Sequence, residues 1–136
     1  FIKNEKNFEV VTIKKPTEKE FNALLLGWKL VKFVKSNAIV FNDDKRLLGV
    51  GAGQMSRIDS TKIAISKAEE NNLDLNGSIM ASDAFFPFPD CVELASKKGI
   101  SCIIQPGGSI KDEEIINTAN RLNISMILTR ERHFYH

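Results

Sequence analysis

Three times in this sequence a short apolar run breaks at a glycine- or proline-rich turn, and a helix pattern begins directly afterwards. Residues 46–50 lead into Gly49-Val-Gly-Ala-Gly-Gln-Met-Ser-Arg57 and a helix expected over about 57–71, with Ile58, Ile65 and Ala68 facing inward. Residues 77–81 lead into Asp83-Ala-Phe-Phe-Pro-Phe-Pro-Asp90 and a helix that starts near Pro89 and stops at Gly99. Residues 101–105 lead into Pro106-Gly-Gly-Ser109 and a helix whose inner face is Ile115, Ile116, Ala119 and Leu122. This alternation belongs to layered α/β domains, in which strands form one sheet and helices cover it. It also says where function would sit. Strand ends that feed glycine turns and helix starts are where such sheets build their sites.

The remaining segments fit that frame. Residues 7–15 read as extended, and Pro16 ends them. Thr17-Glu-Lys-Glu20 has the spacing of a capping box, so a helix is expected from about 18 to 35. Phe21, Leu24, Leu25, Trp28 and Val31 make one apolar stripe on it, and Leu26, Leu30 and Phe33 a second. A helix apolar over most of its girth is expected to be buried on more than one side, centrally or against another subunit. Residues 37–42 and 46–50 read as a hairpin turning at Asn42-Asp43-Asp44. Residues 124–128 form a last strand, and 130–136 a charged, aromatic tail. Ser109-Ile-Lys-Asp112 is close to a second capping box. One domain covers residues 1–136, and the opening Phe1 is expected of a fragment of a longer protein.

Composition narrows the class. A net charge of +2 gives no case for nucleic acid, and no apolar run has the length of a membrane span. Cys91 and Cys102 lack a metal or redox spacing, which suits reduced thiols in a cytoplasmic protein.

Four stretches could carry chemistry. The glycine turn could face bare N–H groups toward an anion, or be a tight turn with close packing. Arg57 opens a helix, where the dipole gives a cation no reason to be, so an anionic partner explains it better. Asn37, in an apolar stretch, either satisfies a structural hydrogen bond or aims its amide at a carbonyl oxygen that gains charge. Phe85-Phe-Pro-Phe-Pro-Asp90 is either a packed loop with Asp90 at a helix start, or a slot for a flat ring whose N–H groups meet Asp90. His133 and His136 lie in the tail with no third metal ligand in view.

Taken together, Lys35-Ser-Asn-Ala-Ile-Val40, Gly49 to Arg57, Ser82 to Asp90, Gln105-Pro-Gly-Gly-Ser-Ile-Lys-Asp-Glu-Glu114 and Arg132-His-Phe-Tyr-His136 resemble the bifunctional purine biosynthesis family. That family carries aminoimidazole carboxamide ribonucleotide (AICAR) formyltransferase and inosinate (IMP) cyclohydrolase activities. The resemblance runs from about residue 8 to the end and is to the C-terminal part of the formyltransferase portion. It implies a three-layer α/β/α subdomain with a mixed sheet and a cytidine-deaminase-like fold. It implies a cytoplasmic, homodimeric enzyme that moves a formyl group from 10-formyltetrahydrofolate to AICAR without metal chemistry. By the family pattern Asn37, Arg57, Phe85 and Arg132 would bind the nucleotide, with Asn37 also catalytic. Ile58, Asp90, Gly107 and Gly108 would contact the folate. The family's catalytic Lys-His pair lies upstream and is absent from this chain, as is the cyclohydrolase domain. Some members hold a potassium ion near the positions of Ser36 and Asp83; Ala38 here replaces a serine found in some of those. The zinc words H-x-E and P-C-x-x-C of deaminases are missing, which disfavours deamination. The alternative is a non-catalytic nucleotide-binding or dimerisation module of the same fold.

Overall fold

A computed structural model of the chain describes residues 7–131. Six strands and four helices alternate along it: β1 (Glu9–Val10), α1 (Glu18–Val31), β2 (Ile39–Asn42), β3 (Leu47–Gly51), α2 (Arg57–Glu70), β4 (Ile79–Ser82), α3 (Asp90–Lys97), β5 (Cys102–Gln105), α4 (Asp112–Arg121) and β6 (Ser125–Leu128). The strands form one mixed sheet in the order β1-β6-β5-β4-β2-β3. β4, β5 and β6 run parallel, whereas β2 is antiparallel to both β3 and β4, and β1 to β6.

Both faces of the sheet are covered, which explains why its strands are apolar on both sides. On one face α1 packs Ala23, Leu24, Trp28 and Val31 against Val40, Ala81, Ile104 and Ile127. On the other, α2, α3 and α4 pack Ala64, Ile65, Val92, Ala95, Ile115 and Ala119 against Phe41, Met80, Ile103 and Met126. The layers are therefore α/β/α. Among the described residues no helix is long and apolar enough to cross a membrane.

Local chemistry sets most boundaries. Thr17 Oγ1 accepts from the Glu20 N–H at 3.1 Å, and Glu20 Oε1 accepts from the Thr17 N–H at 2.9 Å, so the capping box forms as spaced. The hairpin turn is held by Asp43 Oδ1, which accepts from the N–H groups of Lys45 and Arg46, each at 2.8 Å. Gly99 stops α3 at φ +85°, and Asn72 and Asn123 take the same left-handed region just beyond α2 and α4.

Three expected element ends need correction. The extended segment 7–15 pairs only over Glu9–Val10, because from Thr12 onward a side chain replaces the ladder. Thr12 Oγ1 accepts from the Met126 N–H and donates to the Lys14 carbonyl. Helix α1 ends at Val31 rather than 35, since Lys35 O is drawn away to accept from the Gly53 N–H at 2.9 Å. That leaves Phe33 outside the helix and exposed. Within the chain α1 is buried on one side only, with Leu25, Leu26 and Leu30 half-buried. Finally, Ser109 does not cap α4. Its Oγ accepts from Lys111 N, and Asp112 supplies only the return half of the box, by accepting from Ser109 N.

Candidate functional site

The topology gathers the singled-out stretches along one edge of the sheet. The carboxyl ends of β4, β5 and β6 share that edge, and register places Ile39 beside Ser82 and Gly51 beside Ile39. Asn37 thus precedes β2 there, and the Gly53–Arg57 turn leaves β3 there. The 83–90 loop leaves β4, and Pro106–Ser109 leaves β5. The end of β6 joins them, because Thr129 N donates to Gln105 O and Arg130 N to Pro106 O. The edge includes the switch point where parallel β4 meets antiparallel β2.

Its centre is a buried polar hub. Asp83 follows β4 and is fully buried. Its Oδ1 accepts from Arg57 Nη1 and from the Ala38 N–H at 3.2 Å, and its Oδ2 accepts from Ser36 Oγ at 2.5 Å. Arg57 is 8% exposed and extends Nη2 to Asn37 Oδ1 at 2.7 Å. Asn37 Nδ2 donates to Gln54 O at 2.9 Å, and Ser60 Oγ donates to Asn37 O at 2.6 Å. The Ser36–Asn37 peptide is cis. A carboxylate taken out of water needs such a set of donors, because an unpaired charge there would be very costly.

The hub answers the question raised by Arg57. Its anionic partner is a carboxylate of the same chain, 26 residues further on. Apart from the resemblance, Asp83 was legible as a buried acid only through its place at the end of an apolar strand, and nothing singled out Ser60 or the Gln54 carbonyl as partners of Asn37. Asn37 makes structural hydrogen bonds on both sides of its amide. A primary amide nitrogen carries two hydrogens, so one remains beyond the bond to Gln54. The glycines divide in two. A Cβ on Gly49 would lie 2.2 Å from Ala64 O and one on Gly51 1.8 Å from Ser60 O, so these two let α2 press on β3. Gly53 alone shapes the turn, at φ +67°, and its N–H is spent on Lys35 O rather than turned toward an anion.

The aromatic loop is not one wall. Phe86 lies in the core, Phe85 is half-buried and Phe88 is 57% exposed. Asp90 opens α3, where its Oδ1 accepts from the Cys91 N–H at 2.9 Å. Burial, and then the neighbouring Asp90 charge, push the Cys91 thiol up to about 12, although Thr61 and Arg57 oppose the shift. Ile58 is half-buried against the core behind Arg57. Gly107 and Gly108 sit at φ +74° and +105°. The Gly108 N–H is engaged by Asp112 Oδ2 at 2.8 Å. Arg132, expected at the nucleotide, lies outside the described residues, as do His133 and His136.

The surroundings of Asp83 do not fit a potassium ion. Its carboxylate already accepts from a guanidinium, a hydroxyl and an amide N–H, and a second cation would sit against Arg57. A cavity of about 450 Å³ opens at the opposite edge of the sheet, lined by Thr17, Glu20, Asp43, Asp44, Asp74 and Asn76. Among the described residues, none of the candidate site residues lines it.

Comparisons with known proteins agree with this architecture. The cyanophage S-TIM5 dCMP deaminase in its apo form superposes with a TM-score of 0.53 at 15% identity, covering 83% of this chain and 98% of that one. Acinetobacter baumannii RibD gives 0.50 at 12% identity, over 81% of this chain and 35% of that one. At such identities the likeness shows the fold alone, which is cytidine-deaminase-like. Sequence relatives are much nearer. The bifunctional purine biosynthesis protein PurH of Buchnera aphidicola subsp. Schizaphis graminum is 57% identical over 134 residues, 98% of this chain and 26% of that protein. PurH of Listeria welshimeri is 57% identical over 136 residues, and that of Persephonella marina 55% over 128. The chain thus spans about a quarter of the length of the curated relatives it matches. The family model described as the AICARFT/IMPCHase bienzyme matches residues 2–67. Along essentially all of its own length, therefore, this chain is similar to a quarter of the bifunctional purine biosynthesis protein PurH.

Proposed function

We propose that the chain is the C-terminal subdomain of an AICAR formyltransferase and supplies its nucleotide and folate contacts. What carries the reading is the convergence of Asn37, Arg57, Phe85, Asp90 and Gly107–Gly108 on one sheet edge, in a chain so similar to PurH. In the reaction the AICAR amino nitrogen attacks the formyl carbon, and the bond from that carbon to the folate nitrogen breaks. The amine's proton passes to a base upstream of this chain and from there to the departing folate nitrogen, which leaves as the neutral amine. The work left to these residues is positioning and charge stabilisation. The remaining hydrogen of Asn37 Nδ2 would meet the oxygen that gains charge, with the amide held in plane by Arg57 Nη2 and Gln54 O. Because Asp83 neutralises Arg57, that guanidinium suits a polar neutral group such as the carboxamide better than a phosphate. Arg132 would then meet the phosphate. Phe85 would lie against the nucleotide, and Asp90, with one oxygen committed to Cys91 N, would accept from the pterin's N–H groups beside Ile58, Gly107 and Gly108. The complete enzyme would be a cytoplasmic homodimer with cyclohydrolase activity on a separate domain.

The test is reconstitution. The chain recombined with the upstream formyltransferase portion of a PurH protein should transfer formyl from 10-formyltetrahydrofolate to AICAR, and Asn37→Ala should cut turnover far more than nucleotide affinity. A folded reconstituted protein that binds AICAR without transferring formyl would favour the binding or dimerisation module instead.

A further inference from the structure

Gln105 is the last residue of β5, the middle of the three parallel strands, and it is fully buried. Its side chain lies on the face covered by α2, α3 and α4, next to Met126. The carboxamide is poorly served at both ends. Nε2 donates only to the Met126 sulfur at 3.4 Å, a weak acceptor, and Oε1 has no hydrogen-bond partner. A buried acceptor without a donor opposes folding, and Leu, Ile or Met would fill such a position without that cost. Each polar side-chain atom of Asp83 and Asn37, at the same edge, has at least one partner, so Gln105 Oε1 stands out beside them. Its place supplies a reason. Gln105 leads directly into Pro106-Gly107-Gly108, on the edge where the described candidate contacts gather, and a Cβ on Gly108 would meet nothing within 4 Å.

We propose that Gln105 is a ligand-recognition residue of this site, its Oε1 accepting an N–H from a bound group that presents a donor beside an acceptor. Nε2 exchanges the Met126 sulfur for that group's oxygen, so the two paired hydrogen bonds form together. The matching chemistry is a primary carboxamide or the amino-pyrimidinone edge of a pterin. The inference rests on the reading of the site given under the proposed function. Access to the buried carboxamide comes by displacement of the glycine segment that follows it.

The experiment is to titrate the 136-residue chain, as wild type, Gln105→Met and Gln105→Asn, with AICAR and separately with 5-formyltetrahydrofolate, and to record thermal midpoints. Gln105→Met is expected to raise the midpoint by about 3 °C, because the orphan acceptor is gone. It should also weaken one of the two ligands by about tenfold or more, and the ligand that loses affinity identifies the source of the recognised group. Gln105→Asn withdraws the amide by one methylene and should lose similar affinity with no gain in midpoint. Affinities of both ligands within twofold of wild type would overturn the inference and leave a solvated or merely buried amide. A fall in midpoint with equal losses for both ligands would also overturn it, as the mark of a structural role. If the wild-type chain is folded yet binds neither ligand, the site reading itself fails and takes this inference with it.

Discussion

The two edges of the sheet use the same polar residue types for different ends. At the edge holding the cavity, carboxylates stay near water and shape backbone: Asp43 closes a hairpin, Glu20 caps α1 and Asp74 accepts from the Asn76 N–H. At the opposite edge a carboxylate and a guanidinium are buried together, and an asparagine and two serines are arranged around them. Shaping of the first kind is inexpensive, since water satisfies whatever the backbone does not. The second kind costs desolvation of two charges, which well-packed apolar residues would avoid. A cavity therefore marks one edge and the placement of costly groups the other, and the costly groups are the better guide to function.

The contrast can be broken by mutation, with effects that should fall in a definite order. Asp83→Ala leaves Arg57 buried and unpaired, and should destabilise the chain by roughly 3–5 kcal/mol in urea unfolding. Adding Arg57→Met should recover most of that loss; a loss under about 1 kcal/mol in the single variant would mean the pair is not held out of water. Gly51→Ala should cost about 3 kcal/mol, because its methyl would strike the Ser60 carbonyl and force α2 off β3. At the cavity edge the effects should be smaller. Thr17→Ala should cost about 1 kcal/mol in the same assay, the usual worth of an N-cap hydroxyl.

The smallest effect is a pH dependence. Burial works against ionisation of Glu20, but the Thr17 N–H and the neighbouring Ser101, Cys102 and Thr17 side chains outweigh it, so its pKa lies below the ordinary 4.5. A lowered folded-state pKa adds stability above the unfolded-state value and loses it as pH falls through the folded one. Glu20→Gln should therefore flatten the acid limb of the stability–pH curve below about pH 4.5, with the slope near pH 7 unchanged. An acid limb unaltered by Glu20→Gln would show that the capping carboxylate is no better stabilised folded than unfolded.

Features made by residues a few positions apart were legible in advance. Thr17 and Glu20 meet within one helical turn, Asp43 meets the N–H groups two and three residues on, and Gly99 stops α3 by its own φ. The same holds for the strand–turn–helix rhythm, whose period is local. The candidate site was legible only as separate words. Arg57 at a helix start signalled an anion, yet its identity as Asp83 depended on β2 lying between β3 and β4. Asn37 signalled a need for hydrogen bonds, but Gln54, Arg57 and Ser60 became its partners through the hairpin and the seating of α2.

What the sequence by itself determined is the set of elements, their order and most of their ends, because caps, turns and apolar periods act within a few residues. What only the tertiary structure decided is strand order, the closeness of α2 to β3 that Gly49 and Gly51 permit, and which charges share a buried space. Those depend on pairings across tens of residues, where many partners are chemically equivalent and only the packed sheet selects one.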